Sequence, residues 1–199
     1  LAKDLPVTMA TSTLHGLVYG YNVDRVMSVR EAVEGLSVMF MFDSYESEGV
    51  IKFAHRDRKP AITILDADLI DDGAESGTYV ITRSQETELP LESSVQFIDA
   101  LSVYEIASVL SRRTAPLESN RTSNSEVAAV MDRDEMQIIS DILLVDAWVQ
   151  REHLACILPP SMLKLDPSDI ITFNLNGRSA DFRIEELSYE FKRSVKGAR

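Results

Sequence analysis

The spacing of apolar residues predicts a helix near the start of the chain. Ser28 and Glu31 have the spacing of a capping box, in which each side chain accepts a hydrogen bond from the other residue's backbone amide. Apolar residues then recur at intervals of three and four, as on one face of a helix: Val29, Val33, Leu36 and Phe40. We therefore predict a helix over residues 28–41, in which Gly35 permits close packing.

A second, longer helix is predicted from about residue 132 to residue 152. Asp132 is suited to its start, and Glu135 follows at the capping-box position. One predicted face consists of Met136, Ile139, Leu143 and Ala147. Four further apolar residues lie close by: Ile138, Ile142, Val145 and Val149. Because this helix is so broadly apolar, we expect it to be buried on more than one side.

Runs of alternating or β-branched residues between turn residues predict strands along the whole chain. In the first half they cover 42–46 and 50–53 (a hairpin about Ser47-Glu48-Gly49), 61–65 and 79–83, with a short capped helical turn at 66–69. In the second half they cover 95–98, 126–131, 154–158, 170–175 and 181–189. Asn176-Gly177 predicts a two-residue hairpin turn between the last two.

Two stretches of the second half have a less regular pattern. Residues 101–113 fit both a helical and an extended conformation. Residues 116–125 are rich in Ser, Asn, Arg and Thr, and we expect them to form an exposed loop.

These elements predict an α+β fold with a break at Pro90. The first domain, 1–92, is predicted to be mixed α+β. The second, 93–199, is predicted to be mostly β with the long helix at about 132–152.

The charge distribution narrows the class of binding partner. The 199 residues carry a net charge of −12, which argues against a surface that grips a phosphate backbone. Residues 66–92 contain one basic residue, Arg83, and eight acidic residues: Asp66, Asp68, Asp71, Asp72, Glu75, Glu86, Glu88 and Glu92. This stretch is either an ordinary solvated face or a surface that must not adhere to a polyanion. The tail is basic: Lys192, Arg193, Lys196 and Arg199.

The sequence contains no apolar run near the roughly 18–20 residues that cross a bilayer, and we expect no membrane anchor. It begins with Leu1 and a polar stretch rather than with a signal peptide. We interpret the chain as a piece of a longer protein.

No group of residues points to catalysis or to a cofactor. Cys156 lies in an apolar run and is expected to be a buried structural thiol. His15, His55 and His153 are far apart in sequence, and we expect each to have a surface or packing role. We therefore predict no catalytic, cofactor-binding or metal-binding residues.

The best candidate for a metal site is the group of Asp66, Asp68 and Asp71. Paired carboxylates could hold Ca²⁺ or Mg²⁺. Helix capping and turn formation explain the same residues without a metal.

Six segments, taken in their order along the chain, form a recognisable pattern. The first is residues 20–36, Gly-Tyr-Asn-Val-Asp-Arg-Val-Met-Ser-Val-Arg-Glu-Ala-Val-Glu-Gly-Leu. The others are Gly49-Val50-Ile51-Lys52-Phe53 with Arg56, Glu88-Leu89-Pro90 with 95–99 and Tyr104, Ala147-Trp148 with Arg151-Glu152, 158–171, and Phe182-Arg183-Ile184. Together they resemble a family of phage tail proteins, the baseplate-hub or tail-tip proteins of siphophages and gene transfer agents. The chain departs from the family at Ser168, where the family usually has Gly.

The resemblance implies a fold and a function. The fold would be a mixed α/β hub domain followed by a tail-tube-like β-barrel or sandwich with one long flanking helix. The protein would be a structural, non-enzymatic baseplate hub segment that joins tail tube to tail tip and lines the DNA passage. It would form a homotrimer with tail tube, distal tail and tip components as partners, and DNA would pass during ejection without specific binding. Its place would be the virion tail of a phage, prophage or gene transfer agent, assembled in the bacterial cytoplasm.

Two alternatives remain open. One is a metal-dependent carbohydrate-active enzyme that uses Asp66, Asp68 and Asp71. The other is an adhesin-type binding module, which an exposed aromatic patch around Tyr19, Tyr21 and Tyr45 would favour.

Overall fold

The chain forms two compact units that alternate along its length. The computed structural model describes residues 8–23, 25–70, 78–114, 119–175, 178–189 and 193–199. Unit 1 comprises Leu1–Phe42 and Gln85–Trp148, and unit 2 comprises Asp43–Ser84 and Val149–Arg199. This division differs from the two consecutive domains, 1–92 and 93–199, that we predicted from the sequence.

The described residues contain mostly strands and two α-helices, which confirms the predicted α+β class. The helices are α1 (Val29–Phe40) and α2 (Arg133–Val149). The strands before residue 85 are β1 (Thr8–Ala10), β2 (Gly20–Tyr21), β3 (Phe42–Ser47), β4 (Val50–His55), β5 (Ile62–Leu65) and β6 (Tyr79–Arg83). The later strands are β7 (Pro90–Asp99), β8 (Ile106–Arg112), β9 (Arg121–Met131), β10 (Glu152–Ile157), β11 (Ile170–Leu175), β12 (Arg178–Tyr189) and β13 (Arg193–Ala198).

Unit 1 is a four-stranded sheet with both helices packed on one of its faces. The strand order is β2-β9-β7-β8, in which β7 pairs antiparallel with β8 and parallel with β9. Strand and helix side chains form one buried cluster: Met39, Val95, Phe97, Val109, Val127, Ala129, Met131 and Met136. The other face of the sheet is not part of this cluster.

Helix α1 has the capping box that its sequence predicted. The Ser28 hydroxyl accepts a hydrogen bond from the Glu31 amide at 3.2 Å, and the Glu31 carboxylate accepts one from the Ser28 amide at 2.9 Å. The helix is fixed from the side by Tyr21, whose hydroxyl donates to the Ala32 carbonyl at 2.8 Å. A Cβ at Gly35 would meet that hydroxyl at 3.1 Å, which explains the small residue there.

Helix α2 begins where predicted, with the Asp132 carboxylate accepting a hydrogen bond from the Asp134 amide at 2.8 Å. It lies along β7, because the Ser140 hydroxyl donates to the Ser93 carbonyl at 3.0 Å and the Trp148 indole donates to the Pro90 carbonyl at 2.8 Å. One stripe of the helix is buried: Met136, Ser140, Leu144 and Trp148. The opposite stripe is 46–59% exposed: Ile138, Ile142, Val145 and Val149. The expectation that the helix is buried on more than one side is therefore wrong for the chain by itself.

Unit 2 contains a six-stranded sheet with the strand order β5-β11-β12-β13-β10-β6. Neighbouring strands are antiparallel except for β5 and β11, which run parallel. Its core is lined by Ile64, Leu154, Cys156, Leu158, Leu165, Ile171, Phe173, Phe182, Ile184 and Val195. Phe173 holds edge-to-face contacts with Tyr79 and Phe182, at centroid distances of 5.9 and 6.5 Å.

The β3–β4 hairpin is fastened within unit 2 by ion pairs. Asp43 accepts hydrogen bonds from the Arg56 guanidinium, the shortest at 2.9 Å, and lies 3.4 Å from Arg183 Nε on β12. At the turn, Glu48 and Gly49 both have positive φ, which agrees with the predicted hairpin about residues 47–49.

The structure corrects the predicted loop at 116–125 and resolves the ambiguous stretch at 101–113. Residues 121–125 belong to β9, Ser119 is buried, and 115–118 lie outside the described residues. Residues 101–104 form a turn and 106–112 form β8.

The remaining expectations concern the last hairpin and the closure of the sheets. The Asn176-Gly177 turn lies outside the described residues, but the flanking Leu175 and Arg178 are paired across β11 and β12. Within the described ranges neither large sheet closes into a barrel. In the same ranges no helix is long and apolar enough to cross a membrane.

Candidate functional site

The outer face of the four-stranded sheet is the best candidate for a functional surface in unit 1. Val95 and Phe97 of β7 point into the core, so the alternate residues point to the other face. Those residues and their cross-strand partners on β8 and β9 form the outer face: Glu92, Ser94, Gln96, Ile98, Ile106, Ser108, Leu110, Arg112, Thr122, Asn124, Glu126 and Val130.

The centre of this face is a shallow, polar depression of about 460 Å³. Its lining consists of short hydroxyl and amide side chains and one carboxylate: Ser94, Gln96, Ser108, Asn124, Ser125 and Glu126. None of these lining residues is basic or aromatic.

The base next to the depression is already paired. The Arg112 Nε lies 3.4 Å from a Glu92 carboxylate oxygen, and the Thr122 hydroxyl donates to the same carboxylate at 3.4 Å. Arg112 is exposed, so this ion pair contributes little to stability, but it neutralises the guanidinium locally.

This chemistry favours contact with water over the binding of an anion. Tight contact with a phosphate backbone requires Lys and Arg, which release condensed counterions when they bind. A sugar-binding site of the adhesin type would present aromatic rings, and the lining has none. The depression can therefore remain hydrated beside a polyanion.

The acidic stretch at 66–92 does not fall within one compact unit. Asp66 and Asp68 belong to unit 2, whereas Glu86, Glu88 and Glu92 belong to unit 1. The remaining acids of the stretch, Asp71, Asp72 and Glu75, lie outside the described residues.

Asp66 and Asp68, the described residues of the candidate metal site, have a structural role that needs no metal. Asp66–Asp68 form a 3₁₀ turn in which the Asp68 carboxylate accepts a hydrogen bond from the Leu65 amide at 3.0 Å. Asp71 lies outside the described residues. Across the part of the chain that the structure describes, no group of three or more His, Cys, Asp or Glu residues is arranged to hold a metal ion.

The cysteine has the environment expected of a structural thiol. Cys156 lies in the core of unit 2, and burial raises the pKa of its thiol to about 12. A thiolate is therefore scarce at neutral pH, which disfavours a nucleophilic role. His15 and His153 are exposed and His55 is buried.

The three tyrosines that would favour an adhesin do not form an exposed group. Tyr21 packs against the core of unit 1 and donates its hydroxyl hydrogen to α1. Tyr45 is half-buried in unit 2, and Tyr19 alone is exposed.

Sequence reasoning missed the part of the outer face that β9 contributes. Residues 121–125 are polar on both faces of the strand, so the alternation that marks a half-buried strand is absent there. The parallel pairing of Glu92 with Thr122 and of Ser94 with Asn124 places them on the face. Both strands are polar at this end, and that shared polarity is the one signal that could have paired them.

The family model described as "Putative phage tail protein" matches residues 28–187. The chain belongs to this phage tail protein family. The match covers most of the chain and includes the capped helix α1, the outer face and every core residue of unit 2 except Val195. No curated protein sequence matches the tail protein.

Solved structures show the same fold. A chain of the virion of a native gene transfer agent particle superposes on all 199 residues of our chain with a TM-score of 0.88 and 23% identity. The tail protein from Neisseria meningitidis MC58 matches 97% of the chain with a TM-score of 0.62 and 10% identity. The 43 kDa tail protein of prophage MuSo2 from Shewanella oneidensis matches 98% with a TM-score of 0.65 and 8% identity.

Our 199-residue chain spans only part of each of these three chains: 44%, 61% and 62% of their lengths, respectively. The family assignment makes it a structural component of a phage-type virion tail.

Proposed function

We propose that this chain is a segment of a baseplate hub, which joins the tail tube to the tail tip. In this proposal three copies form a ring, and the outer face of the four-stranded sheet lines a passage for DNA. The observation that carries the proposal is the composition of the central depression, which holds hydroxyls, amides and a carboxylate without a base.

The physical argument concerns adhesion. Double-stranded DNA carries one negative charge per roughly 1.7 Å of its axis, so a wall with several Lys or Arg residues would hold it. A wall of neutral polar groups stays wetted, and Glu126 adds a weak repulsion. The net charge of −12 acts in the same direction over the whole chain.

The tube-like barrel that the family resemblance implies would then arise between copies. The four-stranded sheet is open in the described residues, and β8 lies at its edge. Edge strands readily pair with strands of another chain, and a closed ring of copies removes such edges. Tail tube, distal tail and tip proteins are the proposed neighbours of the ring, and its role is structural rather than catalytic.

The wall hypothesis can be tested by changing only the charge of the face. We expect the triple variant Gln96→Lys, Ser108→Lys and Asn124→Lys to acquire non-specific DNA binding, with a Kd of about 10⁻⁴–10⁻⁶ M near physiological salt. The matched control is the triple variant Gln96→Glu, Ser108→Asp and Asn124→Asp. Fluorescence anisotropy with labelled duplex DNA should show no binding for the control and for the unchanged chain.

The same variants distinguish a lumen wall from an outer surface in assembled particles. Lysines on the wall should reduce DNA delivery per particle without reducing particle number, whereas the acidic control should deliver normally. Equal delivery by the lysine and acidic variants would contradict the lumen assignment.

The ring is tested separately, by mass. Light scattering at high protein concentration should give three times the mass of one chain. A longer chain that includes flanking tail sequence, and that stays monomeric at the same concentration, would contradict the trimer.

A further inference from the structure

The exposed side of α2 carries an apolar stripe, here called the outer stripe, formed by Ile138, Ile142 and Val145. Their exposed fractions are 59%, 46% and 58%. The buried residues Met136 and Ser140 precede Ile138 and Ile142 by two positions, which is about 200° around a helix with 3.6 residues per turn. The outer stripe therefore points away from the sheet on which α2 packs.

Neither packing among the described residues nor helix propensity explains why these positions are apolar. The sheet of unit 1 is already covered by the opposite side of α2. β-Branched residues are moderate helix formers, so an exposed stripe of Ile and Val does not stabilise the helix locally. Exposure of apolar area costs about 25 cal/mol per Å², and this cost is recovered only if another surface covers the stripe.

The charges beside the stripe indicate the chemistry of that surface. Helical spacing places Asp134 and Asp141 along one side of the stripe and Glu135 and Asp146 along the other. From residue 134 to residue 149 the helix contains no Lys or Arg. A matching surface would therefore be apolar along its centre and positively charged along both borders.

We propose that the outer stripe docks an amphipathic helix of another polypeptide, whose apolar face is bordered by Lys and Arg. The two helices would pack with interdigitated side chains, and the bordering cations would lie opposite the carboxylates. A second copy of α2 is a poor occupant because its carboxylates would meet those of the first. An anionic lipid surface is disfavoured for the same reason. That the partner is another tail protein rests on the proposed function, whereas the docking itself does not.

The test uses the full 199-residue chain and a designed probe. The probe is a fluorescent 18-residue helical peptide with Leu at positions that repeat every three or four residues and Lys on both borders of that face. A matched peptide carries Glu in place of each Lys. We expect anisotropy to show binding of the Lys peptide, at least ten-fold weaker binding of the Glu peptide, and weakening of the Lys complex as salt is raised.

Single substitutions then locate the site. Ile142→Ser should weaken binding of the Lys peptide at least ten-fold. Leu101→Ser, at a side chain that is 79% exposed in the same unit, should leave the affinity unchanged. The double variant Asp134→Asn and Asp141→Asn should reduce the salt dependence of binding. The fluorescence of the single tryptophan, Trp148 on the buried side of α2, checks that each variant is folded.

Four results would overturn the proposal. The first is equal binding of the Lys and Glu peptides, and the second is unchanged binding by Ile142→Ser. The third is self-association in sedimentation equilibrium that Ile142→Ser abolishes, which would assign the stripe to a second copy. The fourth is binding to vesicles of anionic phospholipid that Ile142→Ser abolishes. A longer chain with flanking tail sequence that stays monomeric and binds the Lys peptide would contradict the trimeric ring and leave the docking proposal intact.

Discussion

Ser168 adopts a conformation that is unfavourable for its type in two respects. Its φ of 70° lies in the left-handed region, which costs an L-residue other than Gly roughly 1–2 kcal/mol. Its side chain is buried, and the hydroxyl oxygen has no hydrogen-bond partner among the described residues. The backbone keeps the turn in place, since the Ser168 amide donates to the Ile184 carbonyl at 2.8 Å.

We predict that Ser168→Gly stabilises the protein by about 1–3 kcal/mol. Glycine removes both the backbone strain and the unpaired hydroxyl, at a smaller cost in unfolded-chain entropy. Urea unfolding followed by the reactivity of Cys156, which is buried in the same unit, measures the change. Ser168→Ala is the control, because it removes the hydroxyl and keeps the strain, and its gain should be smaller. A Gly variant no more stable than the Ser protein would contradict the account.

This position also shows what sequence can establish about a single residue. The resemblance to the family identified Ser168 as unusual, because a Gly is usual there. The positive φ, the burial and the unpaired hydroxyl depend on the approach of β12, which no local pattern reveals.

Among the elements, the β7–β8 hairpin has a turn that is ordered by its backbone and the Asp99 carboxylate. That carboxylate accepts hydrogen bonds from the Leu101 amide at 2.8 Å and the Ser102 hydroxyl at 2.9 Å, and these bonds lower its pKa. The Glu105 amide donates to the Ser102 carbonyl at 3.0 Å. Between them, Val103 and Tyr104 have φ of 55° and 61°, as at the centre of a type I′ turn.

We predict that the double variant Val103→Asn and Tyr104→Gly stabilises unit 1 by roughly 1–3 kcal/mol. Asn-Gly tolerates positive φ at both positions, whereas a β-branched Val does not. Little packing is lost, because the two side chains are 87% and 69% exposed. Urea unfolding followed by Trp148 fluorescence is the measurement.

The exposed neighbour Leu101 supplies the comparison for this turn. Leu101→Asn changes a side chain of similar exposure without a positive φ, and its effect should stay within about 0.5 kcal/mol. If both variants change stability equally, strain at the turn is not the cause.

Local patterns predicted those elements whose stabilising contacts are local. The capping box of α1 and the hairpin about Glu48-Gly49 are decided within a few residues, and both were predicted. Strand β13 was not predicted, because its Arg, Lys and Ser residues resemble a solvated tail. It lies inside the six-stranded sheet, where a Cβ at Gly197 would meet the Arg183 carbonyl oxygen at 2.6 Å.

At the scale of the whole molecule, the two units are interleaved along the chain. β6 and β10 pair antiparallel with Arg83 opposite Glu152, and the Ser84 amide donates to the Arg151 carbonyl at 2.9 Å. In the sequence, the second segment of unit 1 thus lies between two paired strands of unit 2. Folding of unit 2 closes the loop that contains this segment and so lowers the entropy cost of ordering unit 1.

Sequence breaks could not predict this division. Pro90 marks only a local change of structure, because it is the first residue of strand β7. The connections between the units at residues 42/43, 84/85 and 148/149 have no comparable composition signal, because the division depends on which distant strands pair.

We predict that unit 2 folds without unit 1. A chain of residues 43–84 joined to 151–199 by an Asn-Gly turn would make β6 and β10 a two-residue hairpin. All ten buried residues of its core would be retained. Cys156 should then stay unreactive toward a thiol reagent at pH 8 until denaturant is added, because burial raises its pKa.

A variant of the shortened chain provides the comparison. Leu154→Asp places a charge in the core and should unfold it, so the Cys156 thiol of this variant should react at once. Immediate reaction of the unchanged shortened chain would show that unit 2 depends on unit 1.

The interleaving also sets the order in which a newly synthesised chain can fold. Unit 1 is complete once Trp148 has been made, whereas β5 and β6 must wait for β11 and β10. During that interval Ile64, which is fully buried in the finished protein, has no sheet to enter. From their place directly after β5, we expect the carboxylates of Asp66 and Asp68 to oppose aggregation of this segment while it is unpaired. We infer that these two carboxylates act in the nascent chain, before any tail is assembled.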